Sequence, residues 1–264
     1  MTIVAGVKSR DGLILAADSM TTVTVATPVG PQFIKAYEHG RKLFHMGTLP
    51  IGAVTYGLGN IGTRSMEGLV LEACKQMDDD LTDVEGVARA LYDHLRSEYD
   101  SAFDGLTDEQ KPACGFLVGG YSADEPLARL MEFEFPAADG PTENLGPDEF
   151  GATWRGIDWP FTRLWRGFAP MMVARLQNED GIAQARIDDL VGQLEIGLAY
   201  EGMPVQDAIN FATYILDTTI GAVRFAPGVA PCGGPLQVAA VIPDEGFHWV
   251  AKPKLHMPPI HQHD

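Results

Sequence analysis

Met1-Thr2-Ile3-Val4-Ala5-Gly6-Val7-Lys8-Ser9-Arg10-Asp11-Gly12-Leu13-Ile14-Leu15-Ala16-Ala17-Asp18 opens the chain, and its reading decides the fold. Two apolar runs, Ile3 to Val7 and Leu13 to Ala17, flank Arg10-Asp11-Gly12. That pattern suits a buried β-hairpin with a three-residue loop and its glycine in the left-handed position. Ser9 then lies opposite Leu13 and Val4 opposite Asp18, so Thr2, Val4 and Asp18 share one face. A two-residue Asp11-Gly12 turn would put Asp18 on the other face. The three-residue loop is the reading adopted. An aspartate ending a strand that otherwise reads as core is unusual. Thr2, once Met1 is removed, would carry a hydroxyl nucleophile and a basic amine on one residue.

Three further stretches complete a pattern. Gly40-Arg41-Lys42-Leu43-Phe44-His45 opens a strand, Ile51 to Tyr56 reads as a buried strand ending at Gly57, and Gly233-Gly234 precedes a strand from Leu236 to Ile242. With Thr2, the Asp11-Gly12 turn and Ala16-Ala17-Asp18, these resemble the proteasome β-subunit and HslV branch of the N-terminal nucleophile (Ntn) hydrolases. The resemblance covers residues 2 to about 75 well and then thins to a shared order of helices and strands. It implies a four-layer α/β/β/α sandwich of two mainly antiparallel sheets. The order of elements supports α+β by itself.

Composition narrows the function classes. The chain has 264 residues, 45% of them hydrophobic, enough for a substantial core. It carries 36 acidic against 19 basic residues, net −17, which argues against nucleic acid as a partner. No apolar run reaches the ~20 residues of a membrane span, and the N-terminus lacks the basic flank and apolar stretch of a signal peptide. Cys74, Cys114 and Cys232 are odd in number and far apart, which suits core filler in a reducing compartment, with no metal site. The expectation is a cytoplasmic protein without cofactor, residues 1–264 forming one domain.

Along the chain, Ser19 to Ile34 alternates β-branched residues as a strand would, until Pro28, Gly30 and Pro31 break it. This loop is longer than the family usually carries. Gly57-Leu58-Gly59-Asn60-Ile61-Gly62 matches G-x-G-x-x-G, with a helix expected to about Met77 and Asp78-Asp79-Asp80 beyond it, so a nucleotide-binding reading has to be weighed. It lacks a second parallel strand ending at that acid. Thr82-Asp83-Val84-Glu85 reads as a capping box starting a helix to about Phe103. Strands follow at Ala113–Tyr121 and Leu127–Phe135, a surface loop at Pro136–Pro147, and a short strand at Phe150–Arg155. Trp154, Trp159, Phe161 and Trp165 read as helix core. Residues 158–220 read as helices at about 159–177, 181–199 and 204–220, one more than a minimal family member needs, giving an insertion at about 178–202. The tail, about 254–264, holds three of the seven histidines but is Pro-rich, and is expected to be mobile and free of metal.

The resemblance assigns chemistry. Thr2 matches the nucleophile, with its own amine as base; Asp18 and Lys42 match the residues that orient and tune that amine; Gly57 matches the backbone N–H donor to the oxyanion. Thr21 and Thr55 are expected to line the substrate pocket. The implied activity is an N-terminal threonine peptidase acting on peptides or unfolded proteins through an acyl-Thr2 ester. A homo-oligomeric ring and an unfoldase partner are implied with it. Because Thr2 follows Met1 directly, methionine removal alone would expose the nucleophile. The alternatives are a transpeptidase or small-amide hydrolase using the same nucleophile, or a catalytically silent ring-forming scaffold. The silent reading draws on one departure. Where the family usually has an aspartate and a serine ahead of the paired glycines, this chain has Val229 and Cys232, with Asp217 and Thr218 as the nearest substitutes.

Overall fold

The computed structural model describes residues 2–27, 30–78, 80–123, 125–178 and 181–255. The tail beyond Leu255, with its histidines, and Met1 lie outside the described residues. In chain order the elements are β1 (Ile3–Lys8), β2 (Leu13–Ala17), β3 (Thr21–Thr27), β4 (Gly30–Tyr37), β5 (Leu43–His45), β6 (Ile51–Gly57), β7 (Asn60–Ile61), β8 (Arg64–Ser65), α1 (Met66–Gln76) and α2 (Val84–Ala102). Then come β9 (Cys114–Gly120), β10 (Arg129–Phe135), β11 (Thr142–Leu145), β12 (Gly151–Gly156), α3 (Trp159–Trp165), α4 (Pro170–Asn178), α5 (Gln184–Gly192), α6 (Val205–Arg224), β13 (Gln237–Ile242) and β14 (Gly246–Ala251). One five-stranded sheet runs β12-β1-β2-β13-β14 and the other β11-β10-β9-β6-β5. Every pairing within them is antiparallel, so the chain is α+β.

The central strands are apolar on both faces because both faces are covered. Val4, Leu13 and Leu15 of the first sheet share a core cluster with Leu43, Val54 and Leu117 of the second. Their neighbours in sequence point the other way: Ile3, Ala5, Ile14 and Ala16 pack with Phe161 of α3 and Ile215 of α6. On the far side of the second sheet, Phe44, Ala53, Phe116 and Phe133 pack with Leu69 of α1 and Leu91 of α2. Helix α2 buries Val84, Val87, Leu91 and Leu95 at helical spacing. Its N-cap is Asp83, whose carboxylate accepts the Gly86 N–H, one residue beyond the expected capping threonine.

The first hairpin corrects the expected register. Val4 pairs with Ala17 and Lys8 with Leu13, and Ser9 N–H donates to Gly12 O at 2.9 Å. The loop is therefore Arg10-Asp11, and Asp18 lies opposite Ile3 instead of Val4. Gly12 does not adopt the left-handed conformation. Its lack of a side chain serves close packing, since a Cβ there would sit 3.1 Å from Val241 O on the neighbouring β13. β2 ends at Ala17, and the Asp18 carboxylate reaches the Ile3 N–H and the Lys42 ammonium.

Other expectations shift for local reasons. Gly30 and Pro31 do not end the β-structure: β3 and β4 pair antiparallel as a two-stranded ribbon, with Pro31 tolerated on a strand paired on one edge only; Pro28 lies outside the described residues. Thr142–Leu145 adds an edge strand to β10 inside the expected surface loop. The helix expected over 159–177 is two, α3 and α4, interrupted at Gly167, which has φ +75°, and restarted at Pro170. Phe161 and Trp165 are helix core as expected; Trp154 is core but on strand β12, and Trp159 is 41% exposed. After Gly57-Leu58-Gly59-Asn60-Ile61-Gly62, the β7-β8 ribbon intervenes before α1 starts at Met66, and β6 has only antiparallel neighbours. The strand-turn-helix context of a nucleotide fingerprint is absent from this described stretch. No helix among the described residues is long and apolar enough to cross a membrane.

Candidate functional site

Thr2 precedes β1 and is 4% exposed. Its backbone is fixed by β12 and the turn after it: Thr2 O accepts the Ile157 N–H at 2.8 Å. Gly156, at φ +93°, lets the chains meet, because a Cβ there would lie 2.0 Å from Thr2 O. Sequence reasoning missed the role of this turn; a glycine just past the expected strand end was its visible signal.

Asp18 is fully buried. Its Oδ1 accepts the Ile3 N–H at 3.0 Å and the Lys42 ammonium at 2.8 Å; its Oδ2 accepts the N–H groups of Met20 at 3.1 Å and Gly233 at 3.0 Å. All four lone-pair directions are used, which is how a carboxylate survives without water. The Ile3 bond ties this carboxylate to the residue after Thr2. Gly233, expected only as a glycine before a strand, closes the arrangement from the other end of the chain.

Lys42 is 7% exposed. Burial lowers the pKa of its ammonium, and the Asp18 carboxylate opposes that shift. Its place is set by Gln237, which sequence reasoning missed. Gln237 is fully buried; its Oε1 accepts the N–H groups of Lys42 at 3.1 Å and Leu43 at 3.2 Å, and its Nε2 donates to Gly40 O at 2.8 Å. A polar residue opening an otherwise apolar strand was the signal.

Cys232 is buried, its thiol pushed up to about 12 first by desolvation and then by the nearby Asp18 carboxylate, with Lys42 opposing. It is a neutral thiol beside the ion pair. Asp217 lies exposed in the middle of α6, and Val229 is 55% exposed. Neither supplies a second carboxylate to this cluster.

Thr2, Thr21, Lys42, Thr55 and Gly57 line one pocket of about 230 Å³, and Asp18 stands behind it through Lys42. Five of the six residues expected at the site thus line this pocket, and the sixth, Asp18, reaches it through Lys42. Thr55 is buried and donates its hydroxyl to Gly115 O at 3.2 Å. Gly57 has φ +88°, and a Cβ would lie 2.3 Å from Ala113 O. Glycine is required there by the adjacent backbone at Ala113 and Cys114. Chemically, the cluster offers a hydroxyl, a buried cation held by an anion, and a glycine backbone on one wall.

No family model matches the sequence, and no curated protein does. Solved structures do match in fold. A structure described as the helical assembly of the Anbu complex from Pseudomonas aeruginosa aligns at 17% identity over 96% of this chain and 88% of its own, with a TM-score of 0.55. Anbu, an ancestral beta-subunit, from Yersinia bercovieri aligns at 17% identity over 95% and 88%, TM-score 0.54. An Anbu mutant from Hyphomicrobium sp. strain MC1 gives 17%, 95%, 88% and 0.52. These ancestral β-subunits are distinct from the proteasome β-subunit and HslV branch that the sequence resembled, and they correct that assignment. At this identity the likeness is one of fold.

Proposed function

We propose that this chain is a self-associating subunit with the four-layer sandwich of an N-terminal nucleophile hydrolase, in which Thr2 cleaves an amide bond. The convergence of Thr2, Lys42 and Gly57 on one pocket, with Asp18 holding Lys42 at 2.8 Å, carries this reading. The order of helices, sheet, sheet and helices around three core clusters supports the sandwich.

In the proposed reaction Met1 is first removed. The Thr2 hydroxyl oxygen bonds to the amide carbon while its proton passes to the Thr2 amine, whose ordinary pKa of ~7.7–8 suits transfer near neutral pH. The Lys42 charge favours the neutral, proton-accepting amine, and the Gly57 N–H meets the oxyanion. The C–N bond then breaks, the leaving amine takes the proton, and an ester remains on Thr2. Water hydrolyses it and restores the hydroxyl. A pocket of about 230 Å³ has room for one amino-acid side chain, which favours short peptides or small amides over an extended set of side-chain subsites. The described helical assembly of the matched Pseudomonas aeruginosa Anbu complex supports self-association here.

A second reading, a scaffold without chemistry, is favoured by Val229 and the neutral Cys232 where supporting polar groups were expected. Intact mass before and after a peptide epoxyketone separates the two, because that reagent needs a hydroxyl and a free α-amine on one residue. Loss of Met1, one adduct on Thr2 and no adduct on Thr2→Ala support the enzyme. A mature Thr2 inert to a series of small and large epoxyketones overturns it in favour of the scaffold.

A further inference from the structure

The β3-β4 hairpin belongs to neither large sheet. Its strands span Thr21–Thr27 and Gly30–Tyr37, so the arm extends roughly 20 Å from its base at ~3.3 Å per residue. An isolated two-stranded ribbon is at best marginally stable in water. None of its described side chains is buried, and Val23, Ile34 and Tyr37 are 41%, 55% and 58% exposed. The arm presents apolar surface and unpaired strand edges and needs a cover.

Charge selects the occupant. The chain carries net −17, yet residues 19–37 contain no aspartate or glutamate and one cation, Lys35. Two copies of so acidic a protein repel each other over most of their surfaces. This arm is a stretch that can approach a second copy without like-charge contact. Its length argues the same way, since of the arm's described strand residues only Thr21 and Thr22, at its base, line the pocket.

The base is fastened to the candidate site. Met20 N–H donates to Asp18 Oδ2 at 3.1 Å and to Gly233 O at 2.9 Å, and Gly40 N–H donates to Ser19 O at 2.8 Å. The Ser19 hydroxyl donates to Glu38 O. Met20, Thr21, Thr22, His39 and Gly40 then form one side of the Thr2 pocket. The geometry points to the β3-β4 hairpin as an arm that docks on the acidic surface of a second copy of this chain and, through its fixed base, makes the shape of the Thr2 pocket depend on assembly. This rests on the self-association proposed above.

The test uses the full chain. A photo-crosslinking benzoylphenylalanine replaces Ile34, and equal amounts of ordinary and nitrogen-15 chain are mixed before irradiation. Crosslinked peptides joining a light chain to a heavy one are expected. In parallel, Ile34→Glu with Tyr37→Glu places carboxylates on the arm. The apparent association constant, from light scattering across a concentration series, should fall by roughly tenfold or more, because a carboxylate buried unpaired in an interface disfavours binding strongly. The urea midpoint of the dissociated subunit should not change, since both side chains are exposed. Epoxyketone labelling of Thr2 should slow in step with dissociation. Crosslinks only within one chain, or an assembly indifferent to the double substitution, overturn the arm while leaving self-association standing. A chain that is monomeric at every concentration removes both, and crosslinks from position 34 to a bound peptide substrate make the arm a substrate clamp instead.

Discussion

Replacing Asp18 by Asn tests whether the buried ion pair is built as described. Oδ1 serves the Ile3 N–H and the Lys42 ammonium, and Oδ2 serves the N–H groups of Met20 and Gly233. An asparagine offers one oxygen and one NH₂. Whichever way the amide turns, two donors face a donor, and each buried donor left unsatisfied costs about 1–3 kcal/mol. Lys42 also loses the charge that opposes its desolvation. The sum is about 4 kcal/mol, within the ~3–5 kcal/mol found when one partner of a buried pair is removed. With a urea m-value of ~1–3 kcal/mol/M, the midpoint should fall by about 2 M. Lys42→Met alone should cost less, because Asp18 keeps its three backbone donors. In the double variant Asp18→Asn with Lys42→Met, much of the Asp18→Asn loss should be relieved, since no cation is left buried without its anion. The measurement is urea unfolding followed by fluorescence and by far-ultraviolet dichroism, with coincident transitions required. A fall below about 0.3 M for Asp18→Asn, or costs that simply add in the double variant, would refute the shared buried pair.

Asp18 and Gly57 were legible as positions because they sit where strand patterns break. An aspartate ending an apolar run and a glycine ending another stand out against periodicity, whereas Thr2 and Lys42 were assigned their roles by the family resemblance and Thr21 and Thr55 were expected beside them as pocket lining. The structure brings them to one pocket. The hairpin register was not legible, because Arg10-Asp11-Gly12 is compatible with loops differing by one residue, and Gly12 packs close to Val241 O on β13, a neighbour that the local sequence does not reveal. Gly156, Gln237 and Gly233 were missed as site residues for the same reason. Each acts through a backbone contact with a segment remote in sequence, and local pattern carries no trace of such a partner. The wrong family branch has a related cause. The short motifs around Thr2, Asp18, Lys42 and Gly57 report what the site requires, and branches sharing a fold can share those requirements while the rest of the chain diverges.

Gly57→Ala should displace the end of β6, since its Cβ would meet Ala113 O at 2.3 Å and φ is +88°. A loss of about 1–3 kcal/mol in urea unfolding is expected from the backbone strain alone, together with at least a tenfold slower epoxyketone reaction; labelling at the parent rate would remove Gly57 from the pocket wall. Lys8, at the end of β1, makes the sharpest pH prediction. It is fully buried, donates to the carbonyls of Gly146 and Pro147, and lies 5.3 Å from the Phe150 ring. Desolvation lowers its pKa from 10.5 to about 8, against the pull of Glu149 and Asp148. Between those values the unfolded chain holds a proton that the folded chain has released. Stability from this group therefore rises with pH, by at most ~1.4 kcal/mol per unit and about 3 kcal/mol across the window. The penalty is fully present below pH 8 and gone above 10.5. Lys8→Met carries no such titration. Its stability relative to the parent should be most favourable near pH 7 and decline by about 3 kcal/mol toward pH 10.5, whatever fixed amount the two lost carbonyl bonds contribute. Taking the difference between the two proteins cancels the other titrating groups, so urea unfolding of both at intervals from pH 7 to 10.5 isolates Lys8. A difference that stays flat over that range would mean that the Lys8 ammonium keeps its proton in the folded chain, held by the Gly146 and Pro147 carbonyls more tightly than burial disfavours it.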